Sequence, residues 1–246
     1  MVKVVDVIEK LEQVSPLETQ EVWDNSGWQI NLGNKETKKI LLALNVTEKT
    51  VDYAVKQKCD LIISHHPLIF SPLKCIKNKA IISAIQNNIQ VYSAHTNFDK
   101  SSVGTTQTLV DVLKSELDLK SIKDINDFVK VGTLKSAIKS SELLDKVKKA
   151  LNLSFLRFSN SSDEIKRVAF CAGAGADFAN DVVKNSVDCY ITADVKYHQA
   201  LDCPVMLVDV GHYESEIVSL SSIKKLLESL DVDIILSNEE PIFEII

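Results

Sequence analysis

Short apolar runs bounded by turn residues, each followed by an amphipathic stretch, constrain this chain more than any other feature. Residues 39–46 (Lys-Ile-Leu-Leu-Ala-Leu-Asn-Val) read as a buried strand, and Thr47 as the N-cap of a helix running to about Gln57. A strand at 61–63, a helix at 80–86, a strand at 91–93 and a helix at 106–113 follow. Parallel neighbours need a crossover, so this order predicts a mostly parallel sheet. The same order returns with strands at 167–171, 189–192 and 205–209, and helices from near 178 to 184, 197 to 201 and 217 to 230. Strands at 131–134 and 155–158, flanking a helix at 140–151, add to the second set. The fold class is therefore α/β, with two similar lobes. The charged stretch 114–128 lacks a long apolar pattern and marks a boundary, giving lobes of residues 1–125 and 126–246. Two closing strands, 232–236 and 241–246, could pack on either sheet.

The polar residues gain meaning against that frame. Four of the five histidines fall in three clusters, each directly after a predicted strand: His65-His66, His95-Thr-Asn-Phe-Asp99 and His212-Tyr-Glu-Ser-Glu216. Ligands of open α/β sheets bind beyond the carboxyl ends of the strands, so the three clusters predict one shared site. Inside a strand, His65 and His66 would point to opposite faces. At a strand end, with Pro67 forcing an extended exit, both can serve one cavity. Gly211 permits a sharp exit before His212, and His212 and Glu216, four apart, share a helix face if the helix starts early enough, with Glu214 pointing elsewhere. Imidazoles and carboxylates without thiolates suit zinc, manganese, iron or nickel. His65, His66, Asp99, His212 and Glu216, with His95 in reserve, are too many for one catalytic ion with open positions. They suit two divalent ions with a bridging carboxylate.

Other features exclude more than they propose. The five cysteines are scattered and never spaced as CxxC, which argues against a disulfide framework or a thiolate zinc site. A formal charge of −6 gives no general pull toward nucleic acid or anionic membrane. No apolar stretch approaches the roughly 18–20 residues needed to cross a bilayer, and the first residues are charged too early for a signal peptide, so a cytoplasmic protein is expected. The turn at 171–177 (Cys-Ala-Gly-Ala-Gly-Ala-Asp) lacks the full dinucleotide-binding pattern and reads as tight packing. Asp194, Lys196 and His198 occupy, in the second lobe, the place that His65 and His66 hold in the first. A substrate-side role and a structural one are both open for them. The segment 23–28 (Trp-Asp-Asn-Ser-Gly-Trp) reads as a packed corner from which Asn25 could reach the site.

Taken together, residues 23–27, Ser64-His-His-Pro67, His95-Thr-Asn-Phe-Asp99, Gly173 with Gly175, residues 191–198 and Gly211-His-Tyr-Glu-Ser-Glu216 resemble the GTP cyclohydrolase I type 2 homologue family, also called the NGG-one-interacting-factor-three-like family. The pieces run in family order across nearly the whole chain. One departure is Ala193, where the family usually has glycine. The resemblance implies two interlocked α/β lobes, a dinuclear metal site in the cleft between them, and subunits assembled as a toroidal homohexamer. It implies the compact form, without an inserted middle domain. By the same resemblance, His66 and Asp99 hold one ion, His65 and His212 the other, and Glu216 bridges both.

Two functions follow as expectations. One is a metal-dependent hydrolase of a nucleotide-like or phosphorylated small molecule, cyclohydrolase-like or phosphoesterase-like, with His95 orienting a ligand or carrying a proton. The other is a non-catalytic metal-binding scaffold acting through protein partners. Nucleic acid threading through a ring is disfavoured by the acidic composition.

Overall fold

A computed structural model describes residues 1–162 and 164–244. The chain divides into two compact units, Met1–Val103 with Leu220–Ile246, and Gly104–Ser219. In chain order, unit 1 contains β1 (Val2–Lys3), α1 (Val4–Glu12), β2 (Gly27–Ile30), β3 (Glu36–Thr37), β4 (Lys39–Ala43), α2 (Glu48–Gln57), β5 (Leu61–Ser64), α3 (Lys79–Gln86), β6 (Gln90–Ser93) and α4 (Thr96–Asp99). Unit 2 follows with α5 (Thr105–Lys114), β7 (Leu119–Asp124), β8 (Lys130–Ile138), α6 (Ser140–Ala150), β9 (Arg157–Ser159), β10 (Ile165–Phe170), α7 (Ala179–Lys184), β11 (Cys189–Thr192), α8 (Tyr197–Asp202), β12 (Met206–Asp209) and α9 (His212–Glu216). The chain then returns to unit 1 with α10 (Leu220–Leu227) and β13 (Asp233–Leu236).

The main sheet of unit 1 has the order β13-β4-β5-β6-β2, parallel except for β2, while β1 and β3 form a separate antiparallel pair. Its central strands β4, β5 and β6 are buried on both faces and mostly apolar, as a parallel sheet covered by helices requires. Leu41, Ile62 and Val91 pack with Val51, Ala54, Ile81 and Ala84 of α2 and α3. Thr47 caps α2 as expected, its Oγ1 accepting from Thr50 N at 3.2 Å.

Unit 2 has the order β7-β8-β10-β11-β12-β9. Its parallel centre, β10-β11-β12, is extended by antiparallel strands on both sides. Leu109, Val110 and Leu113 of α5 join Leu134, Leu143, Val168 and Ile191 in one core.

That packing places the division between residues 103 and 104, where a boundary at 125/126 is expected from composition. The charged stretch 114–128 contains β7, an edge strand that buries Leu119 and leaves its lysines in water. Edge strands tolerate such composition, and it helps keep them from pairing with other chains. The first closing strand is β13, parallel to β4 in unit 1. Residues 241–244 form no strand, and residues 245 and 246, in the second expected strand, lie outside the described residues. Among the described residues no helix is long and apolar enough to cross a membrane.

Candidate functional site

In unit 1, β5 and β6 run side by side with Ser64 opposite Ser93, so the chains leaving them emerge at the same level. The two buried hydroxyls bond each other at 2.7 Å, and Ser64 Oγ also donates to His66 O at 2.9 Å. His65 N and His66 N donate to Ala43 O and Leu44 O, continuing the ladder with β4. This local net holds the two imidazoles at the strand end.

Their tautomers follow from their partners. His65 Nδ1 lies 2.9 Å from Ala94 O, and His66 Nδ1 lies 2.8 Å from Asn45 Oδ1. Carbonyl and amide oxygens only accept, so both Nδ1 atoms donate and both neutral rings carry a lone pair on Nε2. The Asn45 amide is oriented in turn. Glu239 accepts from Leu44 N at 2.8 Å, Asn45 N at 2.8 Å and Asn45 Nδ2 at 3.3 Å. With its NH₂ turned to Glu239, Asn45 presents its oxygen to His66.

His95 precedes α4, and Asp99 ends it one turn later. The helix is fastened by buried Phe98 and by Asn97, whose Nδ2 donates to Ser15 O at 2.7 Å. Asp99 Oδ1 stands 3.5 Å from His65 Nε2. His65, His66 and His95 each offer a ring nitrogen within 4.8 Å of the others. His95 therefore stands among the candidate ligands as closely as the expected pair.

Its orienting group is Asp24, from the turn in which Asn25 was the expected contributor. Asp24 Oδ1 lies 2.8 Å from His95 Nδ1, and its carboxylate also accepts from Thr96 N at 3.0 Å, Thr96 Oγ1 at 2.5 Å and Ser26 Oγ at 2.9 Å. The Asp24 side chain is 0% exposed. Burial alone would raise its carboxyl, but the hydrogen bonds from His95 and Thr96 outweigh it and hold the group well below the usual carboxylate range. Asn25 instead donates to Ile69 O at 2.6 Å.

In unit 2, Gly211 (φ +90°) turns the chain out of β12 directly into α9, so His212 and Glu216 do share a face. His212 Nε2 lies 3.0 Å from Glu216 Oε2, and Nδ1 lies 2.7 Å from Asp194 Oδ2. Burial lowers the affinity of the ring for a proton, yet Glu216 and Asp194 outweigh it and raise the pKa to about 9. Two carboxylates thus favour positive charge at this position. Glu214 turns away and covers Gly211.

Gly173 forms a cradle for Glu216. It has φ +64°, and a Cβ there would stand 2.1 Å from Glu216 Oε1. Its N–H donates to Ser215 Oγ at 2.9 Å, and Ser215 Oγ donates to His212 O at 2.9 Å, locking the turn to α9. The 171–177 turn thus packs tightly, and what it packs against is a candidate ligand. Asp194 reaches His212, whereas Lys196 and His198 are exposed around α8.

The donor sets fit divalent metal. In unit 1, imidazoles are fixed as Nε2 donors beside a carboxylate. In unit 2, an imidazole and a carboxylate meet in a negative setting, with further carboxylates orienting the rings as such sites require. Asp24 and Glu239 escape sequence reasoning because they lie 71 and 194 residues from the groups they hold. The polar turn at 23–27 was the available signal for the first.

Comparison with known proteins agrees with this assembly of motifs. The model of the Duf34/NIF3 (NGG1p interacting factor 3) family matches residues 2–241. A Clostridium perfringens protein named GTP cyclohydrolase 1 type 2 homolog is 34% identical, over 96% of this chain and 97% of its own. A Helicobacter pylori protein named GTP cyclohydrolase 1 type 2 is 35% identical, over 97% of each. Among solved structures, a Staphylococcus aureus hypothetical protein superposes with a TM-score of 0.91 at 26% identity, covering 99% of both chains. The chain belongs to the Duf34/NIF3 family.

Proposed function

We propose that this chain is a metal-dependent hydrolase of a nucleotide-like or phosphorylated small molecule, with His65, His66, Asp99, His212 and Glu216 holding two divalent ions. The observation that carries the reading is the fixing of His65 and His66 as Nε2 donors, each by an oxygen that can only accept. When bound, such ions supply Lewis-acid activation of water and neutralise charge developing on the substrate. The chain's own residues supply the rest. Asn45 and Ala94 hold the two imidazoles in one tautomer, and Asp24 orients His95, through its Nδ1, as a proton carrier. Gly173 leaves room for the Glu216 carboxylate. By family resemblance, the subunits assemble as a toroidal hexamer.

The test compares wild-type protein with Glu216→Gln, each loaded with zinc, manganese, iron or nickel, against a panel of nucleotides and phosphoesters. Turnover that needs metal and vanishes in Glu216→Gln supports the reading. Full turnover in metal-free protein overturns it, and tight metal binding with no turnover across the panel favours a scaffold.

A further inference from the structure

Unit 2 contains a cavity of about 210 Å³ that none of the proposed metal ligands lines. Its walls include Arg157 and Phe158 from β9, Lys196 and Tyr197 at the start of α8, and Leu207 and Asp209 from β12. The strand register explains the grouping: antiparallel pairing sets Arg157 opposite Asp209 and Ser159 opposite Leu207, and alternation along the strands puts these four side chains on one face.

Two features give the cavity chemical character. Arg157 and Lys196 outnumber the single carboxylate of Asp209, so it is net positive on a chain whose formal charge is −6. Arg157 Nη2 donates to Asp209 Oδ2 and, at 3.3 Å, to Val195 O. A guanidinium carries five N–H donors in a planar fork, so Nη1 and Nε remain as donors to an anion. The second feature is aromatic. Tyr197 is 76% exposed, a large ring left in water beside the cations.

We infer that this cavity binds a nucleoside monophosphate, with its phosphate on Arg157 and Lys196 and its base against Tyr197. Charge-assisted hydrogen bonds suit the phosphate, and any base offers a π-face to an aromatic platform. The cavity is smaller than the roughly 300–1,000 Å³ of sites that enclose a whole ligand, which fits a phosphate end held inside and a base resting on the exposed rim.

Asp209 ties this pocket to the turns that carry candidate ligands. Its carboxylate accepts from Arg157, from Val195 N at 3.2 Å and from Gly211 N at 3.1 Å. Val195 follows Asp194, and Gly211 precedes His212. A nucleotide here is a substrate only if the proposed hydrolase function holds, but its binding does not need metal.

The test is therefore made on metal-free protein, titrating guanosine and adenosine monophosphates, the matching nucleosides and inorganic phosphate by calorimetry and NMR. Saturable mononucleotide binding is expected, weakened about tenfold or more by Tyr197→Ala and by Lys196→Gln. It is expected to persist in His65→Ala and Glu216→Gln. Both cavity positions are exposed, so the variants are expected to fold, which circular dichroism checks. No saturation up to about 10 mM, a concentration that would reveal even millimolar affinity, overturns the inference. So does binding that is undiminished in the two cavity variants. Binding that appears only with metal and is lost in Glu216→Gln also overturns it, while leaving the hydrolase reading intact.

Discussion

Replacing Gly173 with alanine probes the cradle beneath Glu216. Two costs add. Gly173 has φ +64°, a left-handed conformation that costs an L-residue about 1–2 kcal/mol. The new Cβ would also stand 2.1 Å from Glu216 Oε1 and 3.1 Å from Cδ. Comfortable non-bonded separations are roughly 3.5 Å, so the carboxylate must retreat by about an ångström. The Glu216 side chain is only 6% exposed and lies 3.0 Å from His212 Nε2, so retreat breaks that contact. A hydrogen bond to a charged group contributes about 1.5–3 kcal/mol, less here because His212 is partly in water. The expected loss is about 2–4 kcal/mol in all. Gly33→Ala separates the two costs: it has φ +77° with nothing within 4 Å of an added Cβ, so only the backbone term of about 1–2 kcal/mol applies. Urea unfolding followed by circular dichroism measures both. NMR titration gives an independent reading, since His212 should fall from about 9 toward its ordinary value of 6.5 once Glu216 withdraws. A Gly173→Ala protein no less stable than Gly33→Ala, with His212 still titrating near 9, would refute the cradle.

Other outcomes follow from the orienting groups. Glu239→Gln releases Asn45 and should weaken metal binding about tenfold to a hundredfold, read by competition with a chelating dye, while retained affinity would remove Glu239 from the site. Asp24→Asn should destabilise unit 1 by about 3 kcal/mol, because a buried hub with several donors loses its charge. Since the Asp24 pKa lies below its unfolded value of 3.8, its contribution is present above that pH and is lost as the pH falls through the folded pKa. Acid unfolding of Asp24→Asn should be correspondingly less steep. For His212 the sign reverses: with a folded pKa of about 9 against 6.5, its contribution in metal-free protein is full below pH 6.5 and lost as the pH rises through 9. Asp194→Asn should move that upper limit down, and an unmoved His212 titration would contradict the pairing.

The main strands and the histidine clusters at their ends are legible in the sequence because both follow from local pattern. A run such as Leu61-Ile-Ile-Ser64 specifies a buried strand, and the imidazoles that follow have no role inside one. What joins distant segments is not legible. Nothing in the amphipathic period of α5 says which sheet it covers, so the division at 103/104 leaves no mark in composition. Asp24 and Glu239 look like ordinary surface acids until the fold brings them to His95 and Asn45. Gly173 is the intermediate case: a glycine after a strand announces close approach, but not that the neighbour is a buried glutamate.

The interruption of unit 1 by unit 2 has a consequence for the order of events during synthesis. Chains leave the ribosome N-terminus first, so all of residues 104–219 emerge before β13 exists to take its place beside β4. Until then β4 presents an open apolar edge, the kind of surface that pairs with the wrong strand. Glu239 arrives later still, after His65, His66 and His95 have long been made. A nascent chain stopped just short of it carries every candidate imidazole of unit 1 and lacks the carboxylate that aims one of them through Asn45. The orienting net around the unit 1 imidazoles is therefore complete only once residue 239 has been made.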